Sequence, residues 1–215
     1  MEGSRFRDGV RLALPLALAP LLFGAAFGVL AIDAEMGGAA AVVMSATTFA
    51  GSAQFAAASI LDTGGGAPAA IVAAVLLNAR YAPLSIAVAS IFPGSARRRL
   101  LESQLIVDES WALAGRSGRF EYGILVGVGA LFWLLWVGGT AAGTLVGDLL
   151  EPTAIGLDAA FPALFLALLV PYVRTRRALA AALTSAAITF VLIPVAPPGV
   201  PIVAAGLACL WGVRR

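Results

Sequence analysis

The sequence predicts an all-α integral membrane protein of about seven transmembrane helices, arranged as inverted three-helix repeats with discontinuous helices. Three observations point there. Of the 215 residues, 60% are hydrophobic and only 12% are charged. A soluble domain carries about 25% charged residues, and here the deficit runs the length of the chain. Apolar runs repeatedly approach the ~20 residues needed to cross a hydrocarbon core of roughly 30 Å. They are apolar all round, unlike the alternating ~10-residue segments of a β-barrel. Finally, a short glycine motif recurs in the two halves of the chain, at the end of a long apolar run each time.

The expected elements follow in order. Arg5, Arg7 and Arg11, with Asp8, precede a first helix over 12–32. No small-residue cleavage site follows the charged start, so this helix is expected to be retained. Further spans are expected over 38–61, 67–92, 121–147 and 154–173, with shorter ones over 178–194 and 200–213. Between the third and fourth spans, Gly94 to Glu121 is the longest polar stretch, expected to form one or two surface helices. The whole of 1–215 reads as a single transmembrane domain. Repeat 1 covers about 10–93, the surface segment 94–120, repeat 2 about 121–195, and an extra C-terminal helix 200–213.

All fourteen basic residues are arginine, with neither lysine nor histidine. That excludes a P-loop lysine, a Schiff-base lysine, Ser–His and Cys–His catalysis and histidine-bound metal. No cofactor is expected, and the chain does not read as an enzyme. A net charge of +2 is too small to suggest nucleic acid, and the arginine clusters fit membrane orientation. The clusters at 97–119, at Arg174, Arg176 and Arg177, and at Arg214 and Arg215 lie an even number of expected spans apart. All three can therefore be cytoplasmic, including the C-terminus. Seven spans then place the N-terminal arginines outside, against the positive-inside rule. Either residues 4–14 lie along the interface or one early segment does not fully cross.

Residues 24–33 and 139–148 both read GxxxGxLxxD. The two copies begin three expected spans apart, an odd number, so the repeats should be inverted, a plan recurrent in secondary transporters. Gly24/Gly28, Gly139/Gly143 and Gly143/Gly147 allow close helix approach. In the next helix of each half, Ser52-Ala53-Gln54-Phe55 aligns with Pro162-Ala163-Leu164-Phe165, pairing Thr48 with Asp158.

Polar residues inside spans are the candidate sites, because burying an ionised one costs about 2.5–3.5 kcal/mol on the insertion scale. Arg80 stands mid-span in Leu77-Asn78-Ala79-Arg80-Tyr81. It needs a buried partner, an acidic side chain or a substrate carboxylate, and Asn78 can share its pocket. Thr48 and Asp158 are each expected to begin the second piece of a broken helix. Such a half-helix N-terminus attracts a carboxylate through its amides and dipole. Thr48, Gly51 and Ser52 would serve that role, with Gln54 as a nearby neutral donor and acceptor. Asp158 is either an N-cap, with Pro162 in the first turn, or a group that attracts an ammonium or carries a proton. Asp108 and Glu109 in Val107-Asp108-Glu109-Ser110-Trp111 offer a cap for a short interfacial helix, or a role in gating and coupling.

Together these pieces resemble the AzlC-type branched-chain amino acid permeases, the larger subunit of two-component exporters. The matching residues are Phe23-Gly24 with Phe27-Gly28, Phe49 to Phe55, Asn78-Ala79-Arg80-Tyr81, Asp108-Glu109 and Gly156 to Phe165. They occur in the family's order over about 10–210. The resemblance implies a multi-pass plasma (inner) membrane protein that exports leucine, isoleucine, valine and methionine-like substrates. It implies a small AzlD-type partner of about four helices, and proton-coupled secondary transport rather than nucleotide hydrolysis. Substrate binding would then involve Thr48, Gly51, Ser52, Gln54, Asn78, Arg80 and Phe161. Proton coupling would involve Asp158, Asp108 and Glu109. Many relatives carry Asp where Asn78 stands, so one nearby counter-ion for Arg80 is missing. The contrasting function is a non-transporting membrane scaffold or sensor subunit.

Overall fold

The protein, seen in a computed structural model, is described over residues 2–62, 64–116, 119–147, 166, 169–170, 173–196, 200–205 and 208. Asp158 and Phe161 lie outside the described residues, as do most of the expected 154–173 span and Arg214 and Arg215. Apart from turns and connecting segments, the described residues are helical except for a hairpin of two two-residue strands. The helices are α1 (Glu2–Ala13), α2 (Leu18–Asp33), α3 (Gly38–Thr48), α4 (Gly51–Asp62), α5 (Ala67–Asn78) and α6 (Tyr81–Val88). Then come α7 (Ala96–Ser103), α8 (Asp108–Ala114), α9 (Tyr122–Val146), α10 (Arg176–Leu192) and α11 (Val200–Ala205). The strands β1 (Gly115–Arg116) and β2 (Arg119–Phe120) pair antiparallel between α8 and α9, Gly115 opposite Phe120.

The axis of the molecule is α9, 25 mainly apolar residues with several buried glycines. At 1.5 Å per residue it is about 37 Å long, sufficient to cross a bilayer unaided. Two bent pairs reach the same length: residues 5–16 with α2, bent 66°, and α5 with the segment 81–91, bent 41°. Both bends carry local causes. Pro15 lies in the short 3-10 turn Leu14–Leu16 between α1 and α2, and the Ala79-Arg80 step interrupts the α5–α6 ladder.

Glycine decides how α9 is covered. Gly24 lies on the Trp136 carbonyl and Gly139 on that of Leu21, while Gly28 lies on the Thr140 carbonyl and Gly143 on that of Ala25. A Cβ at any of the four would overlap the facing backbone. These contacts exchange with one another under the shift that aligns the two GxxxGxLxxD copies, so the sequence repeat is also a packing repeat. Its orientation differs from expectation. Gly9 meets Ile124, Gly28 meets Thr140 and Ile32 meets Gly147, so contacts advance together and α2 runs parallel to α9. Inverted copies would run antiparallel. The local two-fold relation of this pair therefore lies along the helices.

The 38–61 segment also departs from the expected single span. It breaks at Phe49, whose φ of 38° is left-handed, and the chain turns back. Ser45 and Gln54, nine residues apart, are joined by a 2.8 Å hydrogen bond. A straight helix would hold them about 13.5 Å apart along its axis. Descending α3 runs antiparallel to α9, from Gly38 beside Thr144 to Ala46, whose carbonyl accepts from Trp133 Nε1. Returning α4 stacks Phe55 on Phe27 at 5.8 Å and brings Leu61 to a cleft shared with Met36. With 11 residues, α3 rises about 16 Å, half the hydrocarbon thickness. Residues 38–62 form a helical hairpin folded back at Phe49, each arm shorter than the hydrocarbon thickness.

The N-terminal arginines gather at the same end as Arg97–Arg119, where Arg5 pairs with Glu121 at 3.3 Å. At this end Arg98 bonds Glu102 (2.7 Å) and the Tyr122 hydroxyl (2.9 Å), and these contacts push its guanidinium pKa up. Asp33, Glu35 and Asp62 close the turns at the opposite end.

Candidate functional site

Halfway along α9, three chain interruptions converge: the α3–α4 tip, the α5–α6 break and the start of α8. They enclose a cavity of about 160 Å³, comparable to the roughly 150 Å³ cavity known to hold benzene. Phe23 of α2, Phe132 and Trp136 of α9 and Phe49 of the tip form apolar walls. Arg80 and Tyr81 enter from the break, Gly51 and Ser52 from the tip, and Asp108 and Glu109 from α8.

Arg80 does have an acidic partner. Its Nη2 lies 3.2 Å from Asp108 Oδ2 and donates at 3.1 Å to the Tyr81 hydroxyl, while the guanidinium sits 5.0 Å from the Tyr81 ring centre. Asp108 can reach it because Asp108 is not the cap. Val107 takes that position, and Ser110 Oγ accepts from the Val107 amide at 2.9 Å and donates to the Leu105 carbonyl at 2.7 Å. The serine thus holds the start of α8, a helix that does not span, and leaves the Asp108 carboxylate for Arg80. Burial pushes the neighbouring Glu109 carboxyl above the ordinary range, and Asp108 adds to the rise against the lowering effects of its own backbone hydrogen bond and Arg80.

The tip geometry revises two expectations. Thr48 ends α3 rather than beginning the second helix piece, and α4 starts at Gly51. The half-helix N-terminus therefore presents Gly51, Ser52 and Ala53, whose amides have no acceptor within the helix. Ser52 Oγ is buried beside the cavity with no hydrogen-bond partner among the described residues. Gln54, in contrast, is spent on structure. Its Oε1 accepts from Trp136 Nε1 (3.0 Å) and the Ala50 amide (3.3 Å), and its Nε2 donates to Ser45 Oγ. Ser45 in turn bonds Thr140 at 2.8 Å. All three side chains are fully buried. Gln54 lines neither cavity described here, and its hydrogen bonds tether the tip to α9.

Asn78 does not share the pocket of Arg80. With Thr48 it lines a second, wider cleft of about 630 Å³ on the other side of the two breaks, among α3, α4 and α5. Its Oδ1 is buried there with no hydrogen-bond partner among the described residues. The candidates therefore divide into Gly51, Ser52, Arg80, Asp108 and Glu109 on one side, and Thr48 and Asn78 on the other. Tyr81, Trp136, Ser45 and Thr140 were missed from sequence. The available signal was weak: an aromatic next to Arg80, and hydroxyls within otherwise apolar runs.

Comparison with known proteins adds a lineage to this geometry. A family model described as AzlC protein matches residues 15–150. An uncharacterized membrane protein of Archaeoglobus fulgidus is 30% identical over 96% of this chain and 93% of its own length. One from Helicobacter pylori is 26% identical over 79% and 77%. The branched-chain amino acid transport protein AzlC of Bacillus subtilis is 26% identical over 77% of this chain and 66% of its own. No solved structure matches.

Proposed function

The chain belongs to the AzlC protein family, and from that premise we propose that it exports branched-chain amino acids, leucine, isoleucine and valine, across the plasma membrane. Membership and the Bacillus subtilis relative support a membrane transport role. The observation that carries the substrate class is Arg80 facing an acidic pair inside an otherwise apolar cavity. A zwitterion has matching parts. Its carboxylate goes to Arg80, supported by Ser52 Oγ and the first-turn amides of α4. Its ammonium goes to the acidic pair, and its aliphatic side chain to Phe23, Phe49, Phe132 and Trp136. Such walls separate one methylene from the next by only ~1–3 kcal/mol, so several aliphatic amino acids, methionine among them, should pass.

Glu109 and Asp108 are the proposed proton-coupling groups on this side, with Asp158 a further one and Phe161 a further substrate contact. Transport would alternate between the Arg80 cavity and the Asn78 cleft, with the α3–α4 tip and the α5–α6 break as the barrier. We place the arginine-rich end in the cytoplasm with both termini, in one transmembrane unit. Six crossings and the α3–α4 hairpin satisfy the charge pattern where seven crossings did not. A small AzlD-type subunit of about four helices is the proposed partner.

Leucine efflux from proteoliposomes, with the chain alone and with the small subunit, with and without a pH gradient, tests this reading. Flux from the pair, reduced at least tenfold in Arg80→Gln, is the expected result. No leucine flux from either preparation overturns it.

A further inference from the structure

We propose that Asp108 is an exchangeable counter-ion that selects zwitterions: it holds Arg80 in the empty cavity and passes to the substrate's ammonium when the substrate carboxylate takes Arg80. This rests on the amino-acid reading above and assigns the acid that accepts the ammonium.

The geometry of the pair favours exchange. Arg80 Nη2 lies 3.2 Å from Asp108 Oδ2, and the two side chains remain 35% and 39% exposed. A bidentate, enclosed pair would be far harder to open. The Asp108 carboxylate is not tied down by capping, which Ser110 performs. Nor is it remote from Arg80's other neighbours, since both line the cavity with Ser52 and the start of α4.

Charge balance supplies the selection. The titratable groups facing the cavity are Arg80 and Tyr81 from the α5–α6 break and Asp108 and Glu109 from α8. Those contributed by α2, α9 and the α3–α4 tip are apolar or neutral, among the described residues. Arg80 and Asp108 contribute one charge of each sign to the empty cavity, paired with each other at 3.2 Å. A zwitterion keeps the sum at zero with every charge paired. A monocarboxylate of the same shape displaces Asp108 and leaves it with no cation beside mainly apolar walls, which disfavours its binding. It enters more readily with a proton.

Binding to the purified pair, measured by calorimetry with leucine and with 4-methylpentanoate, its analogue lacking the ammonium, tests the proposal. The wild type should bind leucine at least tenfold more tightly than 4-methylpentanoate. Its affinity for 4-methylpentanoate should rise about tenfold per unit fall in pH over the range where leucine affinity is flat. Asp108→Asn should invert the preference, losing leucine affinity at least tenfold and gaining affinity for 4-methylpentanoate, while Asp108→Glu keeps the wild-type order. An Asp108→Asn protein that still prefers leucine, or that loses both ligands equally while its unfolding temperature is unchanged, overturns the proposal. Should that variant not fold, equal pH dependence for the two ligands in the wild type overturns it. Absence of leucine binding to the wild type sinks the amino-acid reading itself, a separate outcome.

Discussion

Some buried polar side chains have their hydrogen bonds satisfied within the fold and others do not. Gln54 and Ser52 stand two residues apart, yet they fall on opposite sides of that division. Gln54 satisfies Trp136, Ala50 and Ser45. Truncation to alanine strands those groups at about 1–3 kcal/mol for each buried one left unpaired. Gln54→Ala should therefore lower unfolding stability by ~2–4 kcal/mol in detergent. Ser52→Ala removes a hydroxyl with no partner among the described residues. It should leave stability within ~0.5 kcal/mol and weaken leucine binding several-fold. Equal destabilisation by the two variants would refute the assignment. Glu109 adds a pH signature. Its pKa is raised above 4.5 on folding, so its contribution is full below pH 4.5 and is lost as pH rises through the raised value. Stability measured against pH should fall across that window, and Glu109→Gln should abolish that part of the slope.

Among the elements, α2 and α9 were the most legible in the sequence and the most misleading in direction. Their glycines predicted close approach, and the backbone contacts at Gly24, Gly28, Gly139 and Gly143 bear that out. Gly28→Val or Gly143→Val should cost ~1–3 kcal/mol or more through overpacking. The same change at Gly138, where an added Cβ meets nothing within 4 Å, should be tolerated. A helix motif, however, reads the same whether its partner runs parallel or antiparallel, so inversion could not be decided from the repeat. The break near Thr48–Ser52 was also foreseen, but its residue and its angle were not. Phe49 adopts a left-handed conformation that costs roughly 1–2 kcal/mol in a residue with a Cβ. Packing edge-on to Trp136 at 6.4 Å and the Gln54 tether hold it there. Neither contact is visible in a local pattern.

For the whole molecule, the proposed topology makes a prediction about which chain ends share a side. In cells, and with native Cys209 replaced, single cysteines at Arg7 and Arg97 should react with an impermeant reagent from one side. Those at Glu35 and Asp62 should react from the other. Labelling of Glu35 and Asp62 positions from opposite sides would mean that residues 38–62 cross, and the fold-back would be wrong. The sequence alone determined that the chain is helical and membrane-embedded, because lipid forces each apolar run to satisfy its backbone internally. It also determined that Arg80 is the residue whose charge topology does not explain. Only the tertiary structure decided that one apolar run turns back, that the GxxxGxLxxD helices lie parallel, and that Arg80 meets Asp108 of a distant helix as well as its neighbour Tyr81. Hydropathy is a sum over neighbours in sequence and carries no direction, whereas ion pairing and glycine contact depend on which surfaces meet in space.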